Sequence, residues 1–327
     1  MTATLAPILG TLPMPIGFGG ASVGNLRRAI ADADANAAIR RAWDRGIRYF
    51  DTAPHYGLGL SERRLGRTLA TFDRNEYVVS TKVGRLLRPR PTPLAQDDDG
   101  FVVPGDLMRV WDFSLDGVRR SVHESLERLG MDRFEILYAH DPDQAYPYAM
   151  REGLEALASL KAEGVVGAIG VGTNSVKGIV EHIEAGRIDV LMLANRWTLL
   201  DHEDALPVMA AAERCGVSVV AAGVFNSGLL ARPRPSDDAH FDYQAAPADV
   251  MARAHRLADV CEAHGVDLPT AAIAFPLLQP AVRGVVLGMR SVADVDSNID
   301  RFETGVPAAL WGDLEAEGLL TAGAVRA

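Results

Sequence analysis

The sequence predicts a single (β/α)8 barrel across residues 1–327, with long loops on the face where its strands end. Three observations point there. Short runs rich in β-branched residues alternate with helical patterns until eight strand–helix units are complete. Those runs are mostly apolar, as in the strands of a parallel sheet covered on both faces. No linker, repeat or low-complexity block interrupts a chain that is 48% hydrophobic and 23% charged, proportions that supply a sizeable core and disfavour disorder or a coiled coil.

The elements follow in order. Ile16 to Gly19 is expected as the first strand. Ala35, Ala38, Ile39, Ala42 and Trp43 take the spacing of an amphipathic helix, which Gly46 stops. Ile47 to Phe50 reads as a strand, Glu62 to Leu69 as a short helix, and Tyr77 to Val83 as the third strand. Leu115, Val118, Val122, Leu126 and Leu129 line one helix face, with Ser114 as its N-cap and Gly130 just past its end. Phe134 to Tyr138, Ala168 to Val171 and Val190 to Leu193 are further strands, separated by helices around Leu154 to Ala162 and Val176 to Ala185. Ala205, Val208, Met209, Ala212 and Cys215 repeat the helical stripe. A strand at Val217 to Ala222, a helix at Val250 to Cys261 and a strand at Val285 to Leu287 complete the set.

Two connections are too long for simple closures. Gly84 to Phe113 carries Pro89, Pro91, Pro93 and Pro104, and Arg232 to Pro247 carries the aromatic pair Phe241 and Tyr243. Both follow a strand, so both are expected as loops rising on the face where such barrels build active sites.

Composition narrows the function. With 33 basic against 43 acidic residues the formal charge is −10, which argues against a partner nucleic acid or an anionic membrane surface. Cys215 and Cys261 make neither a disulfide framework nor a zinc site, and both are expected as buried free thiols. Met1 to Gly20 has no basic n-region and is broken by Pro7, Pro13 and Pro15, unlike a signal peptide, and no run reaches the ~18 apolar residues of a membrane span. A cytoplasmic protein is expected. No His-x-His pair offers metal ligands, so none are assigned.

The chemistry-bearing residues cluster at strand ends. Asp51 closes one strand and Tyr56 follows five residues on; Lys82 sits near the end of the next; His140 follows FEILYA. Alone, each has an ordinary reading: a capping Asp, a snorkelling Lys, a hydrogen-bonded His, a Tyr at the core edge. Together, a buried Lys–Asp pair beside a phenol would lower the phenol's pKa, and a neutral imidazole opposite would hold a carbonyl oxygen. That set suits proton transfer to a carbonyl whose carbon exchanges a hydride with a cofactor.

GFGG (Gly17 to Gly20), YFDTAPHYG (Tyr49 to Gly57), SERRLG (Ser61 to Gly66), STKVG (Ser80 to Gly84), LYAHDPD (Leu137 to Asp143) and LGMRS (Leu287 to Ser291) with Asn298 resemble the aldo-keto reductases over nearly the whole chain. The resemblance implies Tyr56 as general acid/base, Lys82 lowering its pKa, Asp51 pairing with Lys82, and His140 orienting the substrate oxygen. It implies a nicotinamide dinucleotide held near Gly19, Gly20, Asp51, Gly172 and Asn174, with Gly223, Phe225 and Gly228 against the pyrophosphate. Gly288, Arg290, Asp294 and Asn298 would take the adenosine end. Where the family commonly has Ser-Asn, Gln and Tyr around nicotinamide, this chain has Thr173-Asn174, Ala194 and Ala222. Gly288 and Asp294 stand where many NADP-dependent members carry basic residues, so NAD is the expected cofactor, with NADP as the other possibility.

STKVGRLLRP, DFSLDGVRRSVHESLERLG and GVFNSGLLA look most like the bacterial aldose 1-dehydrogenase branch (L-fucose and D-threo-aldose types), with the similar pyridoxal 4-dehydrogenases as the alternative. Trp111, Tyr146, Trp197 and Phe225 are the candidate substrate walls, alongside Tyr56 and His140. A general NADPH aldehyde reductase and a redox-sensing regulatory subunit on the same barrel stay open. GVGTNS (Gly170 to Ser175) is a weak match to a Rossmann phosphate loop, and no Tyr-x-x-x-Lys pair supports a short-chain dehydrogenase. The oligomeric state is left open.

Overall fold

The eight apolar runs are eight parallel strands. In the computed structural model, which describes residues 9–242 and 244–326, they form a closed barrel. Pro7 and Tyr243 lie outside the described residues. The barrel strands are β1 (Ile16–Gly19), β2 (Tyr49–Asp51), β3 (Val78–Val83), β6 (Phe134–His140), β7 (Val166–Thr173), β8 (Val190–Ala194), β9 (Ser218–Ala222) and β12 (Val282–Gly288). Two small antiparallel ribbons lie outside that set: β4 (Arg85–Leu94) with β5 (Gly105–Trp111), and β10 (His240–Phe241) with β11 (Gln244–Ala245). Around the barrel the order is β1, β12, β9, β8, β7, β6, β3, β2.

The chain divides into two compact units. One holds the chain to Thr173 with Gly186–Met192 and Gly288–Asp296; the other holds Asn174–Ala185, Leu193–Leu287 and the chain from Ser297. In the first, β1, β2, β3, β6 and β7 pair in sequence, with Asp51 opposite Ser80, Lys82 opposite Tyr138, and His140 opposite Gly172. Paired residues of a parallel sheet share a face, and alternate residues repeat it. In the second, β9 pairs with β12, from Val219 opposite Val282 to Ala222 opposite Val286.

Local sequence accounts for most boundaries. Helix α1 (Asp32–Asp44) buries Ala35, Ala38, Ile39 and Ala42. It precedes β2, and α2 (Leu60–Leu69) follows it. Helix α3 (Leu115–Leu129) begins where Ser114 Oγ accepts the Gly117 N–H and ends on left-handed Gly130. Helices at Leu268–Ala274 and Ala308–Ala316 complete regions that the apolar pattern leaves unassigned.

Three expectations are corrected. The connection after β3 is a β-hairpin, not an irregular loop; its prolines are tolerated because a two-stranded ribbon leaves outer N–H positions unpaired. The second long connection also contains a short ribbon, with Phe241 opposite Gln244. Cys215 is exposed at the end of its helix, while Cys261 is buried and its thiol is pushed up to about 12 by burial.

Candidate active site

Strand ends place three of the four family-motif residues, and a turn places the fourth. Asp51 ends β2, Lys82 is the penultimate residue of β3 and His140 ends β6, three strands adjacent in the barrel. Tyr56 arrives on the turn after β2, where its N–H donates to Ala53. All four belong to the first unit.

Lys82 is pinned. Its Nζ donates to Asp51 Oδ2 at 2.6 Å and to the Thr52 carbonyl at 3.0 Å, and it lies 4.7 Å from the centre of the Tyr56 ring. Lys82 and Asp51 are each 2% exposed. Burial opposes the ammonium, but Asp51 and Tyr56 more than restore it, so Lys82 holds its proton above the ordinary lysine range. Burial raises the Asp51 carboxyl, against the pull of Lys82 and Ser80.

The expected lowering of the phenol's pKa is corrected in its net sign. Loss of water around the hydroxyl outweighs the attraction of Lys82, and Tyr56 is pushed up to about 12. Lys82 acts in the expected direction but only offsets burial. His140 is held well below 6.5 by burial and by the charges of Arg85 and Lys82, so its imidazole is neutral. Its buried Nδ1 has no hydrogen-bond partner, an atom ready for a ligand.

A second ionic cluster adjoins the first. Arg85, just past β3, donates from Nη2 to Asp141 Oδ2 at 2.6 Å and stacks 4.3 Å over Trp111. Its Nη1 lies 3.3 Å from His55 Nδ1, and the His55 ring meets the His140 ring edge-on at 5.4 Å. Arg109 on β5 binds the buried Asp97 with both terminal nitrogens and the His55 carbonyl with one. Burial raises Asp141 to about 6 against the pull of Arg85. Nothing in the motifs singles out Arg85, Asp141 or His55; the hairpin brings Arg85 and Arg109 to the same neighbours because Leu87 pairs with Arg109 and Arg85 with Trp111.

The cofactor candidates divide between the units. In the first, Gly20 donates its N–H to the Asp51 carbonyl, and a Cβ there would lie 2.6 Å from Ser61 Oγ. Gly19 ends β1 opposite Asp51. At Gly172 a Cβ would occupy the space 3.5 Å from Lys82 Cε, so glycine leaves the flank of that side chain open. Asp294 Oδ2 accepts the Arg290 N–H at 2.9 Å at the start of helix Val292–Thr304, and a Cβ on Gly288 would crowd Ser22. In the second, Asn174 gives its carbonyl to Arg196, and the turn after β9 carries Gly223 and the half-buried Phe225. Left-handed backbone follows at Asn226, Ser227 and Gly228, and the buried Asn226 Oδ1 has no partner. Asn298 is buried. Within the first unit, the orphaned His140 atom and the glycine beside Lys82 fit a flat ligand rich in hydrogen-bonding groups, as the nicotinamide end of a dinucleotide is.

The substrate walls separate. Trp111 is half-buried and stacks on Phe113. Tyr146 lies edge-on to Phe113, and its hydroxyl donates to Glu152 and accepts the Phe113 N–H. Trp197 is corrected: it is fully buried and stacks on Phe275 at 5.5 Å, so it fills core rather than lining a surface. Its apolar bulk gives no sign of which side it would take.

Residues 15–316 match the aldo/keto reductase family. The chain is 45% identical to a D-threo-aldose 1-dehydrogenase from Pseudomonas sp over 98% of both chains. It is 37% identical to a pyridoxal 4-dehydrogenase from Microbacterium luteolum over 94% of both. Among solved structures, a glycerol dehydrogenase from Gluconobacter oxydans superposes with a TM-score of 0.72 at 22% identity, covering 92% of this chain and 90% of that one. The holo form of an aldo-keto reductase from Bacillus halodurans gives 0.71 at 25%, covering 94% and 93%. The family's cofactor is NAD(P)H. Among the described residues no helix is long and apolar enough to cross a membrane. The chain belongs to the aldo/keto reductase family, oxidoreductases that act on CH–OH groups.

Proposed function

We propose that this enzyme oxidises the hemiacetal carbinol of a free aldose to the lactone, with NAD as the preferred partner. The observation that carries the reading is the Lys82 ammonium, pinned between Asp51 and Thr52 and set 4.7 Å from the Tyr56 ring, with a neutral His140 beside it. The dinucleotide, when bound, supplies the hydride acceptor. Tyr56, as phenolate, takes the proton of the reacting hydroxyl as the C–H bond breaks, so one proton and one hydride leave together. Lys82 stabilises that phenolate, Asp51 holds Lys82 in place, and His140 bonds the substrate oxygen through its ring. Trp111, half-buried on the same unit, offers apolar surface to a sugar face.

Identity to the D-threo-aldose 1-dehydrogenase supports an aldose, and the 37% match to the pyridoxal 4-dehydrogenase keeps a pyridine ring as the second reading. NAD is supported by Asp294, a carboxylate near the glycine Gly288, which repels a 2′-phosphate but accepts hydrogen bonds from a ribose diol.

A screen of NADH or NADPH release with L-fucose, D-arabinose, L-galactose and pyridoxal tests the reading. An aldose with NAD is expected to give the highest kcat/KM. Preference for pyridoxal by about tenfold or more (~1.4 kcal/mol) would transfer the assignment to the second reading, and the same margin for NADP would refute the cofactor choice. Oxidation that stops after about one turnover per protein chain would indicate a redox sensor instead.

A further inference from the structure

The Asp51 carboxylate has a second oxygen that the ion pair does not use. Ser80 Oγ lies 2.7 Å from it, Tyr49 OH lies 2.9 Å from Ser80 Oγ, and Tyr138 OH lies 3.2 Å from Tyr49 OH. None of the four residues is more than 2% exposed. They stand at alternate positions of three adjacent strands: Tyr49 and Asp51 on β2, Ser80 on β3 and Tyr138 on β6.

The protons in this chain can run only one way. An ionised carboxylate accepts and cannot donate, so the single Ser80 proton goes to Asp51 Oδ1. The Ser80 lone pairs then take the Tyr49 proton, and Tyr49 takes the Tyr138 proton. Each bond polarises the next toward Asp51. Reversing the chain, as a proton on Oδ1 would require, leaves the Tyr138 proton without an acceptor among the described residues. A proton on Oδ2 instead meets the Lys82 ammonium at 2.6 Å.

We propose that Ser80, Tyr49 and Tyr138 are positioning residues, a one-way hydroxyl chain that holds Asp51 ionised and so keeps Lys82 charged beside Tyr56. The proposal rests on the catalytic reading of Tyr56 and extends it three side chains deeper. The ionisable groups facing Asp51 are Lys82 from β3, Tyr56 from the turn, Tyr49 on its own strand and Tyr138 from β6. Burial keeps the Tyr49 and Tyr138 phenols neutral, so neither competes for the proton.

Two measurements test it on the full chain. The first is a titration of the Asp51 carboxyl carbon by NMR. The second is the acid limb of kcat/KM for carbonyl reduction, a direction in which Tyr56 starts protonated and does not contribute to that limb. Ser80→Ala should raise the Asp51 pKa by about one to two pH units, the effect of losing a hydrogen bond to a charged group. Tyr49→Phe should give a smaller rise, Tyr138→Phe about half a unit or less, and Ser80→Thr should restore the natural titration. Should Ser80→Ala not fold, Tyr49→Phe, which removes one oxygen, carries the test. Unmoved titrations with lowered melting temperatures would mean that the hydroxyls only pack, and the proposal fails. A shift from Tyr138→Phe as large as that from Ser80→Ala overturns the one-way chain as well. The NMR arm needs no turnover, so an enzyme that ignored every aldose would sink the substrate reading while leaving this result standing or falling by itself.

Discussion

A phenol against a buried ammonium feels two opposed effects, and at Tyr56 burial wins, leaving it at about 12. The sign of the pH dependence follows. Below that value the phenolate is the minor form, and each unit of pH raises its fraction about tenfold. For alcohol oxidation, kcat/KM is therefore expected to climb from about pH 7 to pH 10, with no break near 6.5, because His140 is already neutral there. Tyr56→Phe should lower kcat by about two orders of magnitude or more at every pH and leave dinucleotide affinity, measured by fluorescence quenching, nearly unchanged. A wild-type profile flat from pH 7 upward, or a Phe variant with full turnover, would remove Tyr56 from its role. Motif spacing makes these four residues legible, since Asp51, Tyr56, Lys82 and His140 are local to strand ends. The balance between burial and Lys82 is not, because it depends on how much water the surrounding strands exclude.

Helix against helix, the decisive residue is a glycine. A Cβ on Gly66 of α2 would lie 2.0 Å from the Leu129 carbonyl at the end of α3. Beside that contact, the fully buried Glu62 receives Arg128 Nε at 2.5 Å. Gly66→Ala must push backbone from backbone, and it is expected to cost about 1–3 kcal/mol, seen as a lower melting temperature with unchanged Tyr56 chemistry in the folded fraction. An unshifted melt would mean the two helices separate freely. The SERRLG motif marks this helix, but spacing alone does not say that its glycine faces a carbonyl. The hairpin after β3 escapes a sequence reading for a related reason: Pro89, Pro91 and Pro93 look like loop punctuation, and only the ribbon formed with β5 makes them strand residues. The alternation of Tyr49 with Asp51, Ser80 with Lys82, and Tyr138 with His140 is present in the sequence as a period of two. It says nothing there, because each pair acquires meaning only when three strands are set side by side.

The whole molecule carries −10 formal charges, a field that repels a dinucleotide more when the ligand bears an added phosphate. Raising ionic strength shortens the reach of that field, so the ratio of KM for NADP to KM for NAD should fall, by about twofold between low salt and ~0.5 M. Steady-state assays at fixed pH with both dinucleotides check this; a ratio that rises with salt would show that local cations, not the net charge, govern binding. The sequence alone determined the eight-stranded parallel barrel and the four residues at its strand ends, because hydrophobic period and motif spacing are properties of neighbours along the chain. The tertiary structure alone decided that Trp197 is core, that Arg85 pairs with Asp141, and that three hydroxyls line up behind Asp51. Those facts depend on which side chains meet across strands and on how much solvent they exclude, and neither is written in the order of residues.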